Sequence, residues 1–168
     1  MPKWVNDLTF EEVDDLFKYD PDTGFLFRKK EWGPWKSGDK AGTLNKINGY
    51  VIVSIGTETR RSYRAHRLAW LLYYGKWPEN EIDHINRLRA DNRIINLRQA
   101  TPSQNMANKP GRRDGLKGAY PMKNGRWRAV IGRQERAKHL GVFDTEHEAH
   151  QAYLAAAKNR YGEFARAD

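Results

Sequence analysis

The stretch from Ile82 to Lys109, IDHINRLRADNRIINLRQATPSQNMANK, constrains the fold of this chain more than any other. It opens with an acid and a histidine side by side, Asp83-His84. Asn96 follows twelve residues after His84, and Asn105 nine after that. Leu97 to Ala100 can make a short strand. Thr101-Pro102-Ser103-Gln104 then reads as a helix start: threonine caps, proline suits the first helical position, and glutamine at the third completes a capping box. A strand, a long loop, a second strand and a short helix would bring Asp83, His84, Asn96 and Asn105 together.

Those four side chains suit hydrolysis of a phosphodiester. A carboxylate and an amide carbonyl are hard oxygen ligands of the kind Mg²⁺ accepts while it keeps several waters and takes its other ligands from phosphate. A histidine beside such a ligand can take a proton from water near neutral pH. A second amide can accept from the other ring N–H and hold the imidazole still. Taken singly, these residues are ordinary turn and surface residues. Their joint spacing is what points to a nuclease.

The pattern resembles the HNH endonucleases of the ββα-metal type found in phage and intron homing nucleases. The resemblance covers Arg64 to Lys109, with His66-Arg67-Leu68-Ala69-Trp70 and Gly75-Lys76-Trp77-Pro78 as its lead-in. It implies Asp83 and Asn105 as ligands of Mg²⁺ (or Mn²⁺ in its place), His84 as general base and Asn96 as the residue that orients it. In this fold class the loop between the two strands approaches DNA, which makes Arg87, Arg89 and Arg93 candidate phosphate contacts; a solvated loop is the other reading.

Charge agrees with a polyanionic partner. Of the net +9, Met1 to Thr59 contributes −2, Arg60 to Asn108 +5 and Lys109 to Asp168 +6, so the excess begins where the nuclease pattern begins. Double-stranded DNA is the expected partner. No segment joins a basic face to a long apolar one, so no membrane is expected, and nothing calls for a small-molecule cofactor. The chain has no cysteine. Disulfides and Cys-ligated structural zinc are therefore excluded, and a cytoplasmic compartment fits, the host cell's if the chain is phage-encoded.

The region before the motif reads as scaffold. Thr9-Phe10-Glu11-Glu12 is a capping box opening a helix to about Lys18. Strands are expected at Phe25–Phe27, Tyr50–Ile55 and Ser62–Ala65, a loop over Glu31–Gly42, and a helix over His66–Tyr74, with His66 structural.

After Lys109 a Pro, Gly and charge-rich linker is expected at 110–116, its Arg112 and Arg113 able to follow a DNA groove. Three short antiparallel strands then precede a helix that has a third capping box, Thr145 to Glu148, and Ala149, Ala152, Tyr153 and Ala156 on one face. This half resembles the Apetala-type DNA-binding domain of plant ethylene-response factors. The likeness rests on Lys117-Gly118-Ala119-Tyr120, Gly125 to Ile131, Leu140 to Thr145, Glu148-Ala149, Ala152-Tyr153 and Gly162 to Ala165. It implies DNA contacts from Lys117, Tyr120, Arg126, Arg128 and His139. Strand alternation would turn Trp127, Ala129 and Ile131 to the helix and Arg126 and Arg128 outward. Val130, Gly132 and Ala137 stand where plant members carry charged contacts, so base preference would differ.

The expected architecture is thus α+β: scaffold at 1–63, nuclease motif at 64–109, linker at 110–116, and a three-stranded sheet packed on one helix at 117–168. The expected activity is metal-dependent, homing-type DNA cleavage that nicks, carried out by a monomer. The rivals are a sequence-specific regulator with a vestigial nuclease site, and a structure-selective or genome-packaging nuclease.

Overall fold

The computed structural model describes residues 6–56, 60–111, 114–132 and 137–166. The chain divides into two compact units, Met1–Gln99 and Ala100–Asp168.

The first unit begins with α1 (Phe10–Leu16), opened by the Thr9–Glu12 capping box. Val13 from this helix is fully buried. β1 (Phe17–Tyr19), β2 (Leu26–Arg28) and β3 (Lys40–Ala41) form an antiparallel sheet in that order, so β3 lies inside the segment expected as loop. Asp20 closes the β1–β2 turn by accepting from the N–H groups of Asp22 and Thr23. A second sheet joins β4 (Thr43–Leu44), β5 (Val51–Ile55) and β6 (Arg61–Arg64).

Helix α2 (Ala65–Tyr74) is the centre of this unit. Every residue from Ala65 to Leu71 is buried, and Gly75 ends the helix in the left-handed region at φ +72°. Leu68 and Leu71 pack with Val13, Phe17, Leu26, Val53 and Tyr63, while Ala69 and Trp70 pack with Ile82 and Leu97. The second cluster seats the motif strands β7 (Glu81–His84) and β8 (Leu97–Ala100), which form a two-stranded sheet. The loop between them turns sharply after His84. Arg87 takes φ +66° and donates its N–H to His84 C=O, and a 3-10 turn at Ile94–Asn96 leads back into β8.

In the second unit α3 (Pro102–Asn108) has the expected capping box and proline start. Sheet order is β9 (Ala119–Pro121), β10 (Trp127–Ile131), β11 (Lys138–Phe143), all antiparallel, with a register shift after Ala129. Helix α4 (Glu146–Tyr161) packs on this sheet. Ala119, Ala129 and Ala149 meet with no exposed surface, which is how small residues let a helix lie close to a sheet. A Cβ on Gly118 would run into the Tyr153 ring, so backbone and ring occupy adjoining space there. The buried face of α4 comprises Ala149, His150, Tyr153 and Ala157, rotated slightly from the expected one; His150 Nδ1 is bonded to Lys117 C=O at 2.8 Å.

The division between units departs from the expected linker. Pro110 and the glycines break the chain locally, but packing assigns α3 to the C-terminal unit. Ala100 and Ala107 share a core cluster with Phe164. Arg166 donates to Asn108 Oδ1, and the Lys117 amine donates to the Ala107 and Lys109 carbonyls at the end of α3. Among the described residues no helix is long and apolar enough to cross a membrane.

Candidate active site

His84 ends β7 and is 4% exposed. The ring of His66, from α2, meets it edge-on at 5.0 Å, and Tyr50 lies 6.0 Å away. Burial pushes the His84 pKa below its ordinary value, against the opposing pull of the Asn92 hydrogen bond and the Asp83 charge. A lowered pKa keeps the imidazole neutral near pH 7, with one ring nitrogen able to accept a proton. His84 Nε2 lies 3.2 Å from Asn92 Oδ1. When Nε2–H donates to that oxygen, Nδ1 is left as the acceptor.

This arrangement corrects one expectation. Asn96 does not hold the imidazole. Its Oδ1 accepts from Asn86 N–H at 2.9 Å and its Nδ2 donates to Asp91 C=O at 2.8 Å, so both polar atoms stitch the β7–β8 loop. At the end of the 3-10 turn the Asn96 side chain faces the loop interior, whereas Asn92, 3% exposed, meets the ring. The family resemblance assigned the orienting role to Asn96; nothing in the sequence singled out Asn92.

Asp83 is buried beside His84, and its Oδ2 accepts from Arg98 Nε at 2.9 Å. The two side chains are 5% and 12% exposed, so the pair is largely withdrawn from water. Arg98 lies within the stretch that carries the resemblance, but no role could be read for it from sequence. Asn105 lies in the first turns of α3, in the second unit, half-buried, with its N–H donating to Thr101 C=O.

The candidate DNA contacts divide by what already holds them. Arg89 donates to Asn48 C=O at 2.8 Å and lies 5.0 Å from the Tyr50 ring, which Arg64 approaches to 4.1 Å. Arg93 makes a two-pronged pair with Asp91 at 2.8 and 2.7 Å, which holds that carboxyl near a pKa of about 2. Arg93 therefore braces the loop. Arg112 and Arg113 lie outside the described residues. Lys117, expected at DNA, instead directs its amine to the α3 carbonyls described above. Arg126, just before β10, and Arg128 on it are both exposed, with Arg126 paired to Asp144 at 2.9 Å and Arg128 5.8 Å from the Tyr120 ring. His139 is exposed on β11. Among the described residues no group of three or more His, Cys, Asp or Glu is placed to hold a metal ion.

The second buried imidazole gives a stability prediction. Burial, then the charges of His84, Arg64 and Arg67, lower the pKa of His66 well below its ordinary value. As pH falls below about 6.5 the unfolded chain binds a proton that the folded chain refuses, so stability present above that pH is lost, at up to about 1.4 kcal/mol per pH unit for one such group. The melting temperature should drop between pH 7.5 and 5.5, and His66→Phe should flatten that slope. An unchanged slope in the variant would place the acid lability elsewhere.

Comparison with known proteins bears on the same region. The family model described as HNH endonuclease matches residues 63–107. An uncharacterised HNH endonuclease of Acanthamoeba polyphaga mimivirus is 32% identical, the alignment covering 94% of this chain and 87% of that one. A solved structure of the HNH homing endonuclease I-HmuI resembles this fold with a TM-score of 0.45 at 20% identity, over 60% of this chain and 55% of that one.

Proposed function

Because the chain belongs to the HNH endonuclease family, we propose that it hydrolyses phosphodiester bonds of double-stranded DNA with the help of a divalent cation, as a homing-type nuclease that nicks. The observation that carries this reading is His84: a buried imidazole with a lowered pKa, engaged at Nε2 by Asn92 and adjoining the Asp83 carboxylate.

Asp83 and Asn105 would hold the cation. The donor chemistry fits, because a carboxylate and an amide are hard oxygen donors, and the Asp83 carboxyl group stands at the end of β7 beside His84. When bound, Mg²⁺, or Mn²⁺ in its place, polarises the phosphate and stabilises charge on the leaving oxygen. His84 Nδ1 takes the proton of the attacking water. Asn92 keeps the ring in the tautomer that can do so, and Asn96 keeps the loop that carries Asn92.

The C-terminal unit would serve as a DNA-binding domain of the ethylene-response-factor type, presenting Tyr120, Arg126, Arg128 and His139 to a groove. Exposure of both arginines supports this, and the exposed Arg126–Asp144 pair is weak enough to give way to phosphate. Arg87 and Arg89 would add contacts at the nuclease loop. One Asp-His-Asn-Asn constellation per chain supports one cut per binding event by a monomer.

Supercoiled plasmid carrying a target tests the reading. Relaxed circles should form with Mg²⁺ and not with chelator, with linear product late, and binding should weaken steeply with salt. Binding without cleavage under every divalent ion would favour the regulator with a vestigial site. Prompt linear product at low enzyme concentration would indicate a dimer.

A further inference from the structure

The β1–β2 hairpin lies outside the segment that matches the family, yet it grips the residue that holds the imidazole. Tyr19 Oη donates to Asn92 C=O at 2.7 Å, across 73 positions of chain. Pro21 C=O accepts from Ile94 N–H at 3.1 Å. Between these two bonds Gly24, at φ +74°, lies flat against the same backbone. A Cβ there would run into the Arg93 nitrogen and lie 2.6 Å from the Asn92 carbonyl carbon. Three successive residues, Asn92 to Ile94, are thus pinned by a turn about seventy positions upstream, and the first of them presents Oδ1 to His84.

We propose that Tyr19, Pro21 and Gly24 are positioning residues of the active site: they fix the Asn92–Ile94 backbone so that the Asn92 amide holds the His84 ring at Nε2. The inference rests on His84 acting as the general base. Burial raises the Tyr19 pKa further above its ordinary value, so the phenol remains a donor throughout the working range. The alternative for these residues is simple scaffolding, as expected from sequence. Scaffolding explains a buried hairpin, but it does not explain why both hydrogen bonds and the glycine approach fall on the imidazole's partner and the two residues after it.

The test uses the full-length chain. Tyr19→Phe removes one hydroxyl and should leave the fold intact. Its kcat for plasmid nicking should fall about tenfold with KM unchanged, a part of the roughly 10²-fold that misplacement of a reacting group can cost. In an Asn92→Ala background the same substitution should have no further effect, because the strut then supports nothing that reaches His84. Gly24→Ala should be the more damaging change, by displacement of the Asn92 carbonyl. A second readout is independent of cleavage. Imidazole ¹⁵N spectra should show His84 protonated at Nε2 in the parent and exchanging between tautomers in Tyr19→Phe. An unchanged kcat, an equal loss in the Asn92→Ala background, or an unaltered tautomer would overturn the proposal. If the parent cleaves no DNA, the nuclease reading falls, while the spectra still decide whether the hairpin holds the ring.

Discussion

His84→Ala is expected to lower the rate of DNA cleavage by about 10²–10⁴-fold, the usual contribution of a general base, while DNA affinity stays within a small factor of the parent's. The two halves of this expectation have different physical sources. The loss of rate follows from the neutral imidazole, whose pKa is lowered by burial and whose Nε2 is committed to Asn92. Retention of affinity follows from position. At 4% exposure the ring offers almost no surface to a duplex, so its removal deletes a proton acceptor and not a phosphate contact. The gap left against His66 and Tyr50 should cost some stability, so activity is to be compared at a temperature well below both melting points. Single-turnover nicking and a filter-binding isotherm on the same preparation separate the terms. A variant that cleaves at the parent rate would remove His84 from the mechanism, and one that no longer binds would show that the ring had been supporting the DNA surface. Asn92→Ala should fall between parent and His84→Ala, because it frees the ring without deleting it.

Much of this site could be read from the chain because its signals are local. Thr101 and Gln104 form the expected capping box, and Asp83-His84 closes a strand as read. Alternation on β10 places Trp127, Ala129 and Ile131 against α4. What escaped the sequence was decided by packing between distant residues. Nothing in the letters around Tyr19 states that its hydroxyl reaches Asn92, and a resemblance that selects Asn96 cannot see that its two polar atoms are already spent on the loop. Arg98 escaped for a related reason. A strand arginine usually reads as solvated surface, and only the fold places it against a buried carboxylate. The linker shows the opposite failure. Pro110, Gly111 and Gly115 mark a real local break, but punctuation says where a chain can turn and not which core the preceding helix joins.

The packing of α3 also bears on truncation. Read from sequence, a chain ending at Lys109 keeps the whole nuclease motif and should keep some metal-dependent cleavage while losing affinity and site preference. In the fold, α3 rests on residues that this fragment lacks. Ala107 is covered by Phe164, Asn108 Oδ1 accepts from Arg166, and the helix's last carbonyls accept from the Lys117 amine. A seven-residue helix without such support is marginal in water, even with a capping box at its start. Asn105 lies on this helix, so the fragment should hold the Asp83–His84 half of the site and lose the proposed second metal ligand. We expect cleavage by the 1–109 chain to fall by roughly 10²-fold or more, on the scale of losing the placement of a reacting group, while the first unit remains folded on its α2-centred core. Hydrogen exchange should find the α3 amides unprotected in the fragment and protected in the full chain, with protection of Leu68 to Leu71 the same in both. A fragment that nicks at the full-length rate would show that α3 needs no support from the C-terminal unit, and would return the boundary of the nuclease to Lys109.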